Sequence, residues 1–238
     1  MEYVPEKDSR ETDVNDDFLS SIVDIFTDPS KVFARIEAGL TWWKGYILIS
    51  VVSVVLQWLM FPFQARLLEL NPRGLPEDQL QSAIETTQKL KYIQLATTPI
   101  GIIIIFIILA GILHLMISIM SSKANFKKTL SLVVYTGIIS LLGQVVKTVV
   151  LLSKGLESIT SVADMKVHLS LAAFFPELDG VKLAFLDSLG VFEIWYYVVL
   201  TFGVAYLFKL KKNTAVIPVV VIWVISFLLM MLGSKFGG

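Results

Sequence analysis

The sequence predicts an all-α membrane protein, a five-span transmembrane helical bundle with N-terminal amphipathic interfacial helices. Three observations predict it. Five apolar runs, at about 45–63, 97–120, 130–152, 191–210 and 215–233, are each close to the roughly 20 residues that cross a bilayer core of about 30 Å. Hydrophobic residues make up 55% of the 238 residues against 17% charged, with a mean hydropathy of +0.73, a mix that soluble domains do not show. Lysines gather in some connections between the runs and acids in others. The spans are helices because lipid gives the backbone no hydrogen-bond partners, and a β-barrel would instead show alternating strands of about ten residues.

Residues 1–17 are acidic, with Glu11, Asp13, Asp16 and Asp17, and too poor in apolar side chains to offset ordering entropy. They are expected to form a flexible cytoplasmic tail ahead of a membrane domain over 18–233. Phe18, Leu19, Ile22, Val23 and Phe26 recur at helical spacing, Asp28-Pro29 interrupts, and Val32, Phe33, Ile36 and Leu40 resume the pattern. Asp28 suits an N-cap and Pro29 the first helical position, where its missing N–H costs nothing. Two short amphipathic helices follow, neither long enough to span. They are expected in the cytoplasmic interface, with Phe33 and Ile36 on the apolar face and Lys31 and Arg35 directed to lipid phosphates. Trp42 and Trp43 stand where an aromatic belt belongs. Packing of this same face beneath the bundle is a compatible alternative.

The first run follows an acidic stretch, not the short basic one of a cleavable signal, so it is expected to stay as an anchor. After it comes a turn cluster, Asn71-Pro72-Arg73-Gly74-Leu75-Pro76, and a polar helix over 77–94 leading into the second run. That run is β-branched at 102–105, which membrane helices tolerate. In the third run Gly137 and Gly143 permit close helix contact. The long connection over 153–190 holds an apolar piece at 167–175 and Leu183, Leu186 and Leu189 at spacing three, both suited to the outer leaflet. The fourth and fifth runs are separated by a short basic link, and 234–238 forms a short outer tail.

Orientation follows from Lys123, Lys127 and Lys128 between runs two and three, and from Lys209, Lys211 and Lys212 between runs four and five. Neither connection carries an acid, whereas 153–190 carries Glu157, Asp164, Glu177, Asp179 and Asp187. The positive-inside rule therefore places the N-terminus in the cytoplasm and the C-terminus outside.

Zero formal net charge removes the electrostatic case for nucleic acid. Without cysteine there is no disulfide framework, thiolate metal site or cysteine nucleophile, and two histidines make no metal cluster. No catalytic constellation or phosphate loop stands in the sequence, so an enzyme is not expected and neither cofactor nor metal is implied. Ionisable groups at membrane depth are functional candidates because burying them is costly. Three qualify: His114 in the second run, Lys147 near the outer end of the third, and Glu193 at the outer start of the fourth. Lys147 and Glu193 stand at matching depth for a pair. Gln57 and Gln144 add polar groups between helices.

The segment Ile25-Phe26-Thr27-Asp28-Pro29-Ser30-Lys31-Val32-Phe33 before run one, Asn125-Phe126-Lys127-Lys128 entering run three, and Val191-Phe192-Glu193-Ile194-Trp195-Tyr196 opening run four, with Phe202-Gly203-Val204-Ala205 inside it, form a recognisable order. In these the chain resembles the Yip family, membrane proteins named for interacting with Ypt/Rab GTPases, and looks like a bacterial member. The resemblance covers roughly 18–232. It implies a five-span domain with a cytoplasmic N-terminus and, from the eukaryotic members, an adaptor in membrane traffic. GTPase binding is not carried over, because the characteristic Asp-Leu-Tyr-Gly-Pro segment is absent.

The expectation is a non-enzymatic protein of the bacterial cytoplasmic membrane, a scaffold or membrane-organising module whose partners are lipids and a protein partner or second copy. The alternative is a small transporter, channel or lipid-translocating protein in which Gln57, His114, Gln144, Lys147 and Glu193 line one polar path.

Overall fold

The computed structural model describes residues 9–70, 74–175, 178 and 180–236, and among them every regular element is helical. In order these are α1 (Ser9–Thr27), α2 (Pro29–Ala38), α3 (Trp42–Glu69), α4 (Glu77–Met120), α5 (Phe126–Lys154), α6 (Gly180–Asp187), α7 (Val191–Phe208) and α8 (Lys212–Phe236).

The axis of the bundle is α5. Every residue from Thr129 to Ile139 is buried, so this stretch is enclosed on all faces and not on one stripe. Around it stand α3, α4 and α7, with α1 and α2 closing its N-terminal end, while α8 lies against α7 and α4. Asn125 starts α5 as an N-cap, its side chain accepting from the Lys128 N–H at 3.1 Å. Close approach of α7 to α5 depends on Gly203: a Cβ there would lie 2.3 Å from Leu132 Cδ1 and 3.0 Å from Phe33 Cε1. Gly137 and Gly143 likewise lie under the rings of Phe106 and Phe192.

Among the described residues, four helices are long and apolar enough to cross a membrane: α3, α4, α5 and α7. The run expected over 215–233 lies in α8, whose described apolar stretch, Lys212–Leu228, is shorter than the four. At 44 residues α4 extends about 66 Å, well beyond a hydrocarbon core of about 30 Å, so its polar part from Glu77 runs straight on into the expected span. The turn cluster at 71–73 lies outside the described residues.

At the N-terminus α1 begins at Ser9, ahead of the Phe18 boundary expected for structure, and residues 1–8 lie outside the described set. The break between α1 and α2 falls at Asp28, with Pro29 leading α2. The Asp28 side chain makes no cap bond to the helix and takes the Ser30 hydroxyl instead. Gly39 ends α2 with φ +123°, where the N–H groups of Gly39 and Leu40 return to carbonyls of the last turn.

The long connection over 153–190 folds back on the bundle. A single antiparallel bridge joins Ser170 to Gly190, and Phe185 of α6 sets its ring against Trp223 and Phe227 of α8 at centroid distances of 6.2 and 6.0 Å. A small second core of Phe63, Leu151 and Ile159 fastens this connection to the C-terminal ends of α3 and α5.

Candidate functional site

At the expected cytoplasmic end, the apolar side chains of α2 are not offered to lipid. Phe33 and Ile36 are each 2% exposed, packed into the core with Val32, and the Phe33 ring meets Tyr206 of α7 at 5.9 Å. This corrects the expectation that they contact the lipid interface: the apolar face of α2 is the floor of the bundle. Arg35 also turns inward, its guanidinium 2.7 Å from Asp24 and bonded to Ser21 of α1 at 3.1 Å. Lys31 pairs with Asp28 at 3.6 Å on the surface. Trp42 is half-buried beside Tyr46, whereas Trp43 is exposed. The exposed apolar stripe here belongs to α1, where Leu19 and Val23 stand four residues apart. Their helical spacing was visible in the sequence, but spacing does not say which of two apolar faces turns inward.

Deeper in the bundle, α3, α4, α5, α7 and α8 line a half-open cavity of about 630 Å³. Gln57 from α3, Gln144 and Lys147 from α5, and Glu193 from α7 all line it. Hydroxyls of Ser53, Ser140 and Thr148 add polar groups, and Gln57 accepts a hydrogen bond from Thr98 of α4. The four polar candidates reach one space because the helices alternate in direction, which puts the C-terminal halves of α3 and α5 beside the start of α7. Towards the α2 end it is lined by Ile49, Leu109 and Ile222, and beyond these lie the buried side chains of Leu113, Val134 and Tyr135. His114 does not line this cavity. Its ring meets Phe126 edge-on at 5.7 Å, and its Nδ1 is buried with no hydrogen-bond partner.

Lys147 Nζ lies 3.4 Å from Glu193 Oε1, with the two side chains 42% and 35% exposed. The other carboxylate oxygen, Oε2, is buried without a hydrogen-bond partner against Gly190, where a Cβ would come within 2.1 Å of it. The pair also borders a second cavity, a vestibule of about 440 Å³, which shares Lys147, Glu193, Tyr197 and Ser226 with the first and adds Lys166, His168 and Asp187 from the 153–190 connection and α6.

Lys166, His168 and Asp187 escaped the sequence reading. His168 Nδ1 is 2.7 Å from Asp187 Oδ1, and the Ser170 hydroxyl donates to the same oxygen at 2.8 Å. Both partners bind the carboxylate, so the imidazole does not take the serine proton as it would in a nucleophilic triad. The cluster is a clasp between the connection and α6. Nearby, Asp164 Oδ2 accepts from the N–H and hydroxyl of both Thr160 and Ser161, over 2.8 to 3.0 Å. Those bonds, led by the Thr160 N–H, hold the Asp164 carboxyl down at a pKa of about 2. No sequence signal marks these partners, since the fold of the connection alone brings them together.

The arrangement can bind polar and charged groups within the membrane. Among the described residues no three His, Cys, Asp or Glu side chains converge as metal ligands would. Compared with known proteins, the Yip1 domain matches residues 23–233. The membrane protein YknW of Bacillus subtilis is 26% identical over 206 residues, covering 85% of each chain. No solved structure matches.

Proposed function

The chain belongs to the Yip1 domain family, and we propose that it is a non-enzymatic, multi-pass binding protein that receives a polar ligand group in an intramembrane cavity. One observation carries this reading: Gln57, Gln144, Lys147 and Glu193, from three helices, face one space, and Lys147 and Glu193 line the neighbouring vestibule as well. Polar groups at membrane depth are costly unless they serve partners or water, and here they converge. The burial of Phe33 and Ile36 removes the inserted apolar face that a membrane-organising role through α2 would use. In this reading α8 is a fifth span, the lysine-rich links face the cytoplasm, and the vestibule opens outside a bacterial cytoplasmic membrane. Lys31 and Trp43 then meet the inner lipid surface. Translocation across the whole bilayer would further require the floor built by α2 and Tyr135 to open.

The chain contains no cysteine, so single cysteines can be read without background. In oriented proteoliposomes, Gln57→Cys and Ser140→Cys are expected to react with a charged thiol reagent added outside, and Val55→Cys, on the exposed face of α3, to react much more slowly. Equal rates at the three positions, or reaction at the cavity positions only from the inner side, would remove the outward-open cavity.

A further inference from the structure

The vestibule also opens sideways. It shares Ser188, Tyr197 and Trp223 with a groove of about 590 Å³ between α7 and α8, which runs inward to Lys212. The groove walls are regular: Ile194, Val198 and Phe202 recur every four residues on α7, facing Val216 and Val220 on α8. All five are between 37% and 48% exposed, so no other helix covers them. Thr201 lies within the groove, but its hydroxyl is already spent on the Tyr197 carbonyl at 2.8 Å, leaving the wall apolar in effect. The lining runs from Ile194 to Phe202 on α7 and from Lys212 to Trp223 on α8, about 12 and 17 Å of helix, so the groove is close to the depth of one leaflet, about half of a 30 Å core.

The cations at its mouth are not alike. Lys147 is held by Glu193, and the Asp187 carboxylate is bonded to His168 and Ser170, whereas Lys166 has no ion-pair partner among the described residues. The vestibule thus presents one lysine without a carboxylate partner at the head of an apolar channel. That suits an amphiphile whose head carries an anionic group.

We propose that the vestibule and the α7–α8 groove form one binding site for an outer-leaflet lipid with an anionic phosphodiester head. The phosphate lies at Lys166 and Lys147, and one acyl chain lies along Ile194, Val198 and Val220. This deepens the reading above, on which it rests for the outward orientation of the vestibule, and it names the ligand class.

The test is native mass spectrometry of the full chain released from phosphatidylcholine bilayers containing a minor share of phosphatidylglycerol. Wild type is expected to retain one phosphatidylglycerol per chain in preference to phosphatidylcholine. Lys166→Ala should lower retention roughly fivefold, the weight of one lysine at an anionic lipid surface, and Lys166→Arg should keep it. Val198→Trp, which fills the groove, should lower retention as well, whereas Ile104→Trp on the exposed face of α4 should not. Equal retention of the two lipids, or retention indifferent to both Lys166→Ala and Val198→Trp, overturns the site. A dimer mass that Val198→Trp abolishes would likewise overturn it, assigning the groove to a helix of a second copy. Reagent access at Gln57→Cys together with lipid retention blind to Lys166 refutes the lipid site alone. Lost access with selective retention intact supports the lipid site and refutes the deep cavity alone.

Discussion

Replacing Phe33 with alanine tests whether α2 is a floor or a lipid anchor. The side chain is 2% exposed, its ring lies against Tyr206, and it covers the backbone of Gly203, which has no side chain with which to refill the space. Removing a buried phenylalanine from a water-surrounded core costs roughly 3–5 kcal/mol in lost transfer energy and cavity formation. An undocked α2 would keep part of its apolar surface in the interfacial layer, which trims the transfer part, so a loss of about 2–4 kcal/mol is expected. Thermal unfolding in mild detergent reads the total, and hydrogen exchange at the α2 amides reads where it is lost. Leu19→Ala, on the exposed face of α1, is the control and should change stability by less than about 0.5 kcal/mol. A neutral Phe33→Ala, or equal effects from the two variants, would refute the packing argument.

Two further outcomes follow from the outer half. Lys147→Ala leaves Glu193 without its ion-pair partner while Oε2 is already unsatisfied, so it should destabilise by about 1–3 kcal/mol. Lys147→Ala combined with Glu193→Ala should cost less than the sum of the single changes, and strict additivity in the double-mutant cycle would show that the pair is not coupled. For Asp164 the folded carboxyl is held at about 2 against an ordinary 3.8, so its contribution is fully present above the ordinary value and lost as pH falls through about 2. Protection of the Thr160 and Ser161 amides, taken relative to the intrinsic exchange rate at each pH, should therefore fall between about pH 4 and pH 2, and Asp164→Asn should abolish that step. A step that persists in the variant would remove Asp164 as its source.

The polar site was legible where depth alone decided it. Lys147 stands near the C-terminal end of α5 and Glu193 near the start of the antiparallel α7, so chain direction and run boundaries suffice to place them level, and the side chains meet at 3.4 Å. His168 and Asp187 stand nineteen positions apart on an irregular connection, held together by the Ser170–Gly190 bridge, and no periodicity encodes that fold. Membership of His114 in the same group failed because depth does not specify rotation about the helix axis: its ring turns towards Phe126. For α2 the amphipathic pattern identified the apolar face correctly but not its partner, since Gly203 and Tyr206 lie far along the chain.

The sequence by itself determined that the long apolar runs are helices, because in lipid each run must satisfy its own backbone, and where the first short helix ends, because Asp28-Pro29 breaks it. Only the tertiary structure decided what is inside. The most apolar helix, α4, has a mean hydropathy of 3.0 over its best window and only 17% of that window buried, whereas α5, at 1.8, has 72% buried. In water the more hydrophobic helix would take the centre. In a bilayer, lipid is as apolar as any protein core, so hydropathy drives a helix into the membrane and then falls silent. The axis goes instead to the helix whose small and hydroxyl side chains, among them Gly137, Gly143, Ser131 and Thr136, let neighbours approach closely, and that choice leaves Gln144 and Lys147 beside the cavity.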